Sequence, residues 1–187
     1  SYGKTIDGSV IFNGVGGTWS LQDALTLSST ATLTLTNGTL TTNGWSVTTG
    51  LFTSNNSNTR TLNLGASTVT LTGTGTPWNI TDPTNMTLSA GTSSLVFTGI
   101  AASSIFQGGG FIYYDITLPT GTANTFQFSG ANTFRNVTAI NPISPGRRLI
   151  LLAGATTITG ILSCSGSAAN ARNRIVSQAT SVPVSLI

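Results

Sequence analysis

The chain has 187 residues, 39% of them hydrophobic and only 6% charged, with 22 glycines, one cysteine, no histidine and a net charge of +3. Glutamate is absent and the only acids are Asp7, Asp23, Asp82 and Asp115, so most acid–base and metal chemistries lose their usual residues. The isoelectric point near 9.6 rests on few charges. Only Arg147-Arg148 and the Arg172/Arg174 pair are clustered, without interleaved aromatics, which argues against a nucleic-acid partner.

The opening "SYGKTIDGSV" lacks the long apolar core of an export signal, and no apolar run reaches membrane-spanning length. The chain starts without Met and stops at the strand-like "SVPVSLI", so we expect one segment, residues 1–187, of a longer protein. Asp7-Gly8 reads as a turn. From Thr30 to Gly44 the stretch "TATLTLTNGTLTTNG" sets threonine at alternate positions and closes each run on Asn-Gly. The same period of two recurs in "TRTLNL", "STVTLTG", "LVFTG", "DITLP" and "FQFSG". Such alternation makes strands with one core-facing and one outward row, and no window sustains helical spacing. Ser and Thr together make up roughly three residues in ten, far above ordinary usage, and the chain reads as all-β.

Repetition at longer range decides the architecture. "GASTVTLTG" from Gly65, "GTSSLVFTG" from Gly91, "GTANTFQFSG" from Gly121 and "GATTITG" from Gly154 each follow a short apolar strand. With Gly38 at the head of this frame the spacings are 27, 26, 30 and 33 residues. A unit of this size, stacked so that Leu lies on Leu and Thr on Thr, is a coil of a parallel β-solenoid, and about six coils fit. The drift in spacing fits loops at one corner, with "SSIFQGGGFIYY" the longest. A β-sandwich is the alternative, but it does not predict one recurring Gly-strand-Gly unit.

The segments "FQGGGFIYYDITL", "FSGANTFRNVTAI" and "LLAGATTITGILSCSGSAAN" resemble repeats of the right-handed parallel β-helix, or pectin-lyase-like, class. More narrowly they are similar to the Thr/Ser/Gly/Asn-rich repeats of phage virion and tail proteins and of secreted bacterial adhesins. The resemblance implies a rigid rod on a virion surface or outside the cell. In phages such rods are frequently trimeric, bound to sister chains and other virion or surface proteins, with a host glycan as a further partner.

Against that background no catalytic, cofactor or metal site is expected. Glycosidases need two facing carboxylates, whereas Asp82 in "TDPTN" reads as a turn. Asp115 in "DITL" aligns with Asn85 in "NMTL" and Asn136 in "NVTA", which marks a coil corner. Gly108 to Gly110 lack the Lys and Ser/Thr of a phosphate loop and read as a tight turn. Cys164 sits among apolar residues and reads as a small buried side chain. Trp19 could join a sugar-stacking platform, while Trp45 and Trp78 take the place of a leucine and read as core or cap. Tyr113 and Tyr114 are adjacent in a strand, so one should face out, and with Arg147 and Arg148 they are the candidate glycan or partner contacts. The threonine rows resemble the faces of ice-binding β-solenoids, yet at these spacings they degrade after two or three coils. The expectation is therefore a structural, non-catalytic rod module of a phage tail or virion-surface appendage, with a secreted adhesin or an ice-binding solenoid as alternatives.

Overall fold

The computed structural model describes residues 3–99, 103–118, 125–141, 146–166 and 171–177. Among them there is no helix, and every strand pairing is parallel, which stacks the chain into a β-solenoid of about six turns. A sandwich of antiparallel sheets is thereby excluded.

One sheet runs along the rod through Thr5–Ile6, Leu25–Leu27, Val47–Thr49, Thr68–Leu71, Ser94–Phe97, Ile112–Thr117 and Thr133–Asn141. Thr157–Ile158 and Leu162–Gly166 both rest on the last of these. A second sheet begins where Val10–Ser20 pairs with Thr32–Thr41. Inside Thr32–Thr41 the alternation of burial slips at Thr36-Asn37, and Gly38 takes a φ of +80°. The two halves of that strand then pair separately, Thr32–Thr34 with Leu51–Thr53 and Gly38–Thr41 with Arg60–Asn63. The first branch continues through Gly75–Asn79, Ser103–Gln107, Thr125–Ser129 and Gly146–Ala153 to Ala171–Ser177. The second branch ends, among the described residues, at Met86–Ser89, so the early coils have a third face.

The core follows directly from the alternation. Leu33 and Leu35 point in while Thr32 and Thr34 point out. In the first sheet Leu25, Val47, Val69, Leu95, Ile116, Val137 and Leu162 lie one above another. In the second, Leu33 is followed by Phe52, Trp78, Phe106 and Phe128. Phe52 stacks on Trp78 with centroids 4.3 Å apart, and Phe106 meets Phe128 at 5.8 Å. Burying each such side chain contributes about 1.5–3 kcal/mol, but only once a neighbouring coil covers it, so stability builds along the stack.

The coil is shorter than the glycine spacing predicts. Thr5, Thr26, Thr48, Thr70, Val96, Thr117, Thr138 and Ser163 share one column, at steps of 21 to 26 residues. Reading Gly38 to Gly154 as one series merged two corners. Gly65 and Gly91 do stack, since a Cβ on Gly91 would lie 2.3 Å from the Gly65 oxygen. Gly110, Gly130 and Gly154 form a different stack further along the rod, and Gly38 abuts Gly14 and Gly17 instead. Gly121 lies outside the described residues. The stretch read as the longest loop is two strands, Ser103–Gln107 and Ile112–Thr117, joined by the three-glycine turn.

Candidate functional site

Tyr113 and Tyr114 do take opposite faces. Tyr113 is buried at 2% exposure, where its hydroxyl donates to the Gly108 oxygen at 2.8 Å and accepts from the Trp78 indole at 3.1 Å. Burial pushes this phenol well above its ordinary pKa, against the smaller opposing effect of the Trp78 hydrogen bond. The expected surface role therefore passes from Tyr113 to Tyr114, which is half-buried on the outer face. The guanidinium of Arg135 lies over the Tyr114 ring, 4.4 Å from its centroid, and donates to its hydroxyl. Exposed Ile112 begins the same strand at 71% exposure. Arg135 escaped the sequence reading because the repeat was set too long. At a 21-residue step "IYYDIT" falls on "TFRNVT", which sets Tyr114 on Arg135 between the register pairs Tyr113–Phe134 and Asp115–Asn136.

The acids do not converge. Asp82 sits in the turn after Gly75–Asn79, where its carboxylate accepts from the Thr84 backbone at 3.0 Å. Hydrogen bonds from Thr84 hold its pKa below the usual range, with a smaller pull from Arg60. Asp115 lies in the first sheet and accepts from the Asn136 side chain at 2.7 Å. Its rung neighbours are Ser94 and Asn136, so the expected match to Asn85 fails while that to Asn136 holds. Gly108 to Gly110 form a tight turn as expected. Gly109 and Gly110 have φ of +68° and +81°, and the Gly110 amide donates to the Asn132 side chain.

Arg60 is a cation that the sequence does not flag. It is 1% exposed, and its guanidinium donates to the carbonyls of Ser54, Asn58, Asp82 and Thr84 and to the Ser54 hydroxyl, at 2.6–2.8 Å. Every acceptor is a neutral oxygen, and desolvation lowers the Arg60 pKa despite the nearby Asp82. The side chain thus ties the turn after Leu51–Thr53 to the turn one coil later. It is a structural knot with all five N–H donors engaged.

Trp78 belongs to the core, whereas Trp45 is 45% exposed and Trp19 packs at the first coil against Phe12 with centroids 5.1 Å apart. Cys164 is exposed, contrary to its apolar sequence context. It lies in Leu162–Gly166, opposite buried Ala139, so an inward position of the rung is left exposed there among the described residues. The backbones of Arg147 and Arg148 lie in Gly146–Ala153, and their side chains fall outside the described part. Among the described residues no three His, Cys, Asp or Glu side chains group as metal ligands, and no helix is long and apolar enough to cross a membrane.

The threonine rows persist, against the sequence expectation. In the first sheet the column from Thr5 to Ser163 breaks once, at Val96. A second outward column, Thr18, Thr39, Thr61 and Thr87, crosses the third face. The 26-residue step from Gly65 to Gly91 is the true register, whereas "FQFSG" is a strand of the second sheet and had been laid on strands of the first. No protein-family model matches the chain, and no known relative or solved structure matches it either.

Proposed function

We propose that this chain is a rigid, non-catalytic rod module of a phage tail or other virion-surface appendage. The observation that carries the reading is the unbroken buried column from Leu25 to Val137, which makes each coil depend on the next and gives stiffness along the axis. The separation of Asp82 from Asp115 on different elements supports a non-catalytic role. A neutral, Thr-rich exterior suits a surface exposed outside the cell, and the chain works as a homo-oligomer, with a trimer favoured. Attachment to sister chains, neighbouring surface proteins or a host glycan is assigned to the face bearing Tyr114 and Arg135, where an aromatic ring is backed by a cation. The reading includes no nucleic-acid partner and no membrane-spanning segment.

Light scattering after gel filtration tests the reading. A stable trimer, weakened by Tyr114→Ala or Arg135→Ala, is the expected result. A monomer that stays monomeric at high concentration overturns the appendage assignment and favours a secreted adhesin.

A further inference from the structure

The third face ends partway along the rod. Thr18–Ser20, Gly38–Thr41, Arg60–Asn63 and Met86–Ser89 stack in turn, and among the described residues no strand follows on the far side of Met86–Ser89. The next coil cuts this corner. It leaves the second sheet at Gln107, whose oxygen accepts from the Ile80 amide at 2.8 Å, and turns at Gly108 to Gly110 against Ile80. By the register of Asp115 on Ser94, it re-enters the first sheet with Ile112 above Gly91. Residues 81–90 are left as a ledge.

The ledge is unfinished in two respects. The inward column Trp19, Leu40, Leu62 and Leu88 is sealed at Leu40 and Leu62 but only half-buried at Leu88, with half-buried Phe111 and exposed Ile112 on the coil above. Backbone groups are left over as well. The Asn85 and Ser89 oxygens accept from the Arg60 and Leu64 amides. By alternation the groups of Thr87 face the same way, while those of Met86, Leu88 and Ala90 face out over the ledge. The Met86 N–H donates to Pro83 and the Ala90 oxygen accepts from Ser93. Among the described residues the N–H groups of Leu88 and Ala90 and the oxygens of Met86 and Leu88 are thus unpaired.

These groups define what fits. Donors and acceptors alternating along one line are matched by an extended backbone, as when a peptide adds itself to a sheet edge. A second rod is excluded, because its strands are backed by their own sheets and would collide with the upper coils, which continue the first two sheets behind the ledge. The edge "MTLS" carries no charge, proline or bulge, the usual guards of an open edge. By contrast the register of Val10–Ser20, at the first coil, is broken twice. The charged group nearest in the chain is the Asp82 carboxylate, which disfavours an acidic partner. We propose that the ledge takes up one extended, non-acidic strand of a partner chain. That strand pairs with Met86–Ser89, sets an apolar side chain on Leu88 and rests against Ile112.

This inference stands apart from the rod reading, because the ledge is present at any oligomeric state. The probe is the fluorescein-labelled peptide TRTLNL, a copy of residues 59–64, the rung that pairs with Met86–Ser89 from below. Titrated into the folded chain, it should raise the fluorescence anisotropy to saturation and slow the exchange of the Leu88 and Ala90 amides. Two further peptides, N-methylated at the odd or the even residues, should differ about tenfold or more in affinity, because only one set of amides faces the ledge. Ile112→Lys should weaken binding of the unmethylated peptide, whereas Ile11→Lys, at an exposed side chain of the first coil, should not. Both variants should keep the melting temperature of the parent. No binding to the folded parent overturns the proposal, as does equal binding of the two methylated peptides or equal weakening by the two lysines. It also fails if the Leu88 and Ala90 amides of the free chain already exchange as slowly as those of Thr87 and Ser89. A second copy or another part of the protein would then fill the ledge.

Discussion

The indole nitrogen of Trp78 donates to the hydroxyl of Tyr113 across 35 residues of chain, and that hydroxyl in turn donates a hydrogen bond to the Gly108 oxygen. One phenol thus satisfies two buried polar groups, one from the adjoining coil and one from its own turn. Tyr113→Phe keeps the ring against Phe134, 5.6 Å away, but leaves the indole N–H and the carbonyl unpaired. The expected loss is about 1–3 kcal/mol, read as a lower urea midpoint at unchanged slope.

The same phenol makes the fold sensitive to alkali. Burial raises its folded-state pKa above the unfolded value of about 10. Its contribution is complete below the unfolded pKa and declines as pH rises towards the folded one, because only the unfolded chain ionises in that window. The decline is up to about 1.4 kcal/mol per pH unit above about pH 10. Urea midpoints measured on either side of pH 10 should fall steeply in the parent and less in Tyr113→Phe. Equal slopes in the two proteins would contradict the assignment.

Arg60 offers a test of the knot between coils. Arg60→Met preserves much of the buried volume but strips hydrogen bonds from four carbonyls and one hydroxyl. We expect a loss on the order of 3 kcal/mol, with faster amide exchange concentrated in residues 54–59 and 82–85. Loss spread evenly over the rod would show that Arg60 acts only through global stability.

The fold class was legible because alternation of apolar and polar residues is a local signal. "TLTLT" gives two faces whatever lies beside it. Register was not legible by the same means. Pairing joins residues 19 to 29 positions apart, and the glycine series merged two corners, so of its spacings only the 26-residue step from Gly65 to Gly91 matches a rung register. Of the candidate contacts, Tyr114 was foreseeable from the parity of strand positions, whereas Arg135 needed the register. Arg60 was invisible because a buried arginine depends on carbonyls contributed by turns of two coils. Cys164 misled because its apolar neighbours are not themselves covered among the described residues, Ile161 being 68% exposed.

That exposure has a simple readout. Cys164 is in no disulfide, so an aromatic disulfide reagent should modify the native chain stoichiometrically without denaturant. A thiol that reacts only on unfolding would place the side chain inside instead.

The glycine stack Gly50–Gly73–Gly99 separates a steric requirement from a conformational one. None of the three has a left-handed φ, so each could adopt its backbone geometry with a side chain. The obstacle is the coil below. A Cβ on Gly99 would lie 2.0 Å from the Gly73 oxygen, and one on Gly73 would lie 2.5 Å from the Gly50 oxygen. Those atoms are backbone in the sheet corner and have no rotamer to yield. Gly8 also lacks a left-handed φ, yet a Cβ there meets nothing within 4 Å. Replacing a glycine in a compatible conformation stabilises by about 0.4–1 kcal/mol through the unfolded chain, a gain common to both sites. Overpacking at Gly99 should exceed it, at about 3 kcal/mol. Gly8→Ala should thus melt at or slightly above the parent and Gly99→Ala well below it, a difference of sign that calorimetry on the two variants would resolve. Equal melting temperatures would mean that the coils are spaced more loosely at this corner than the stack implies.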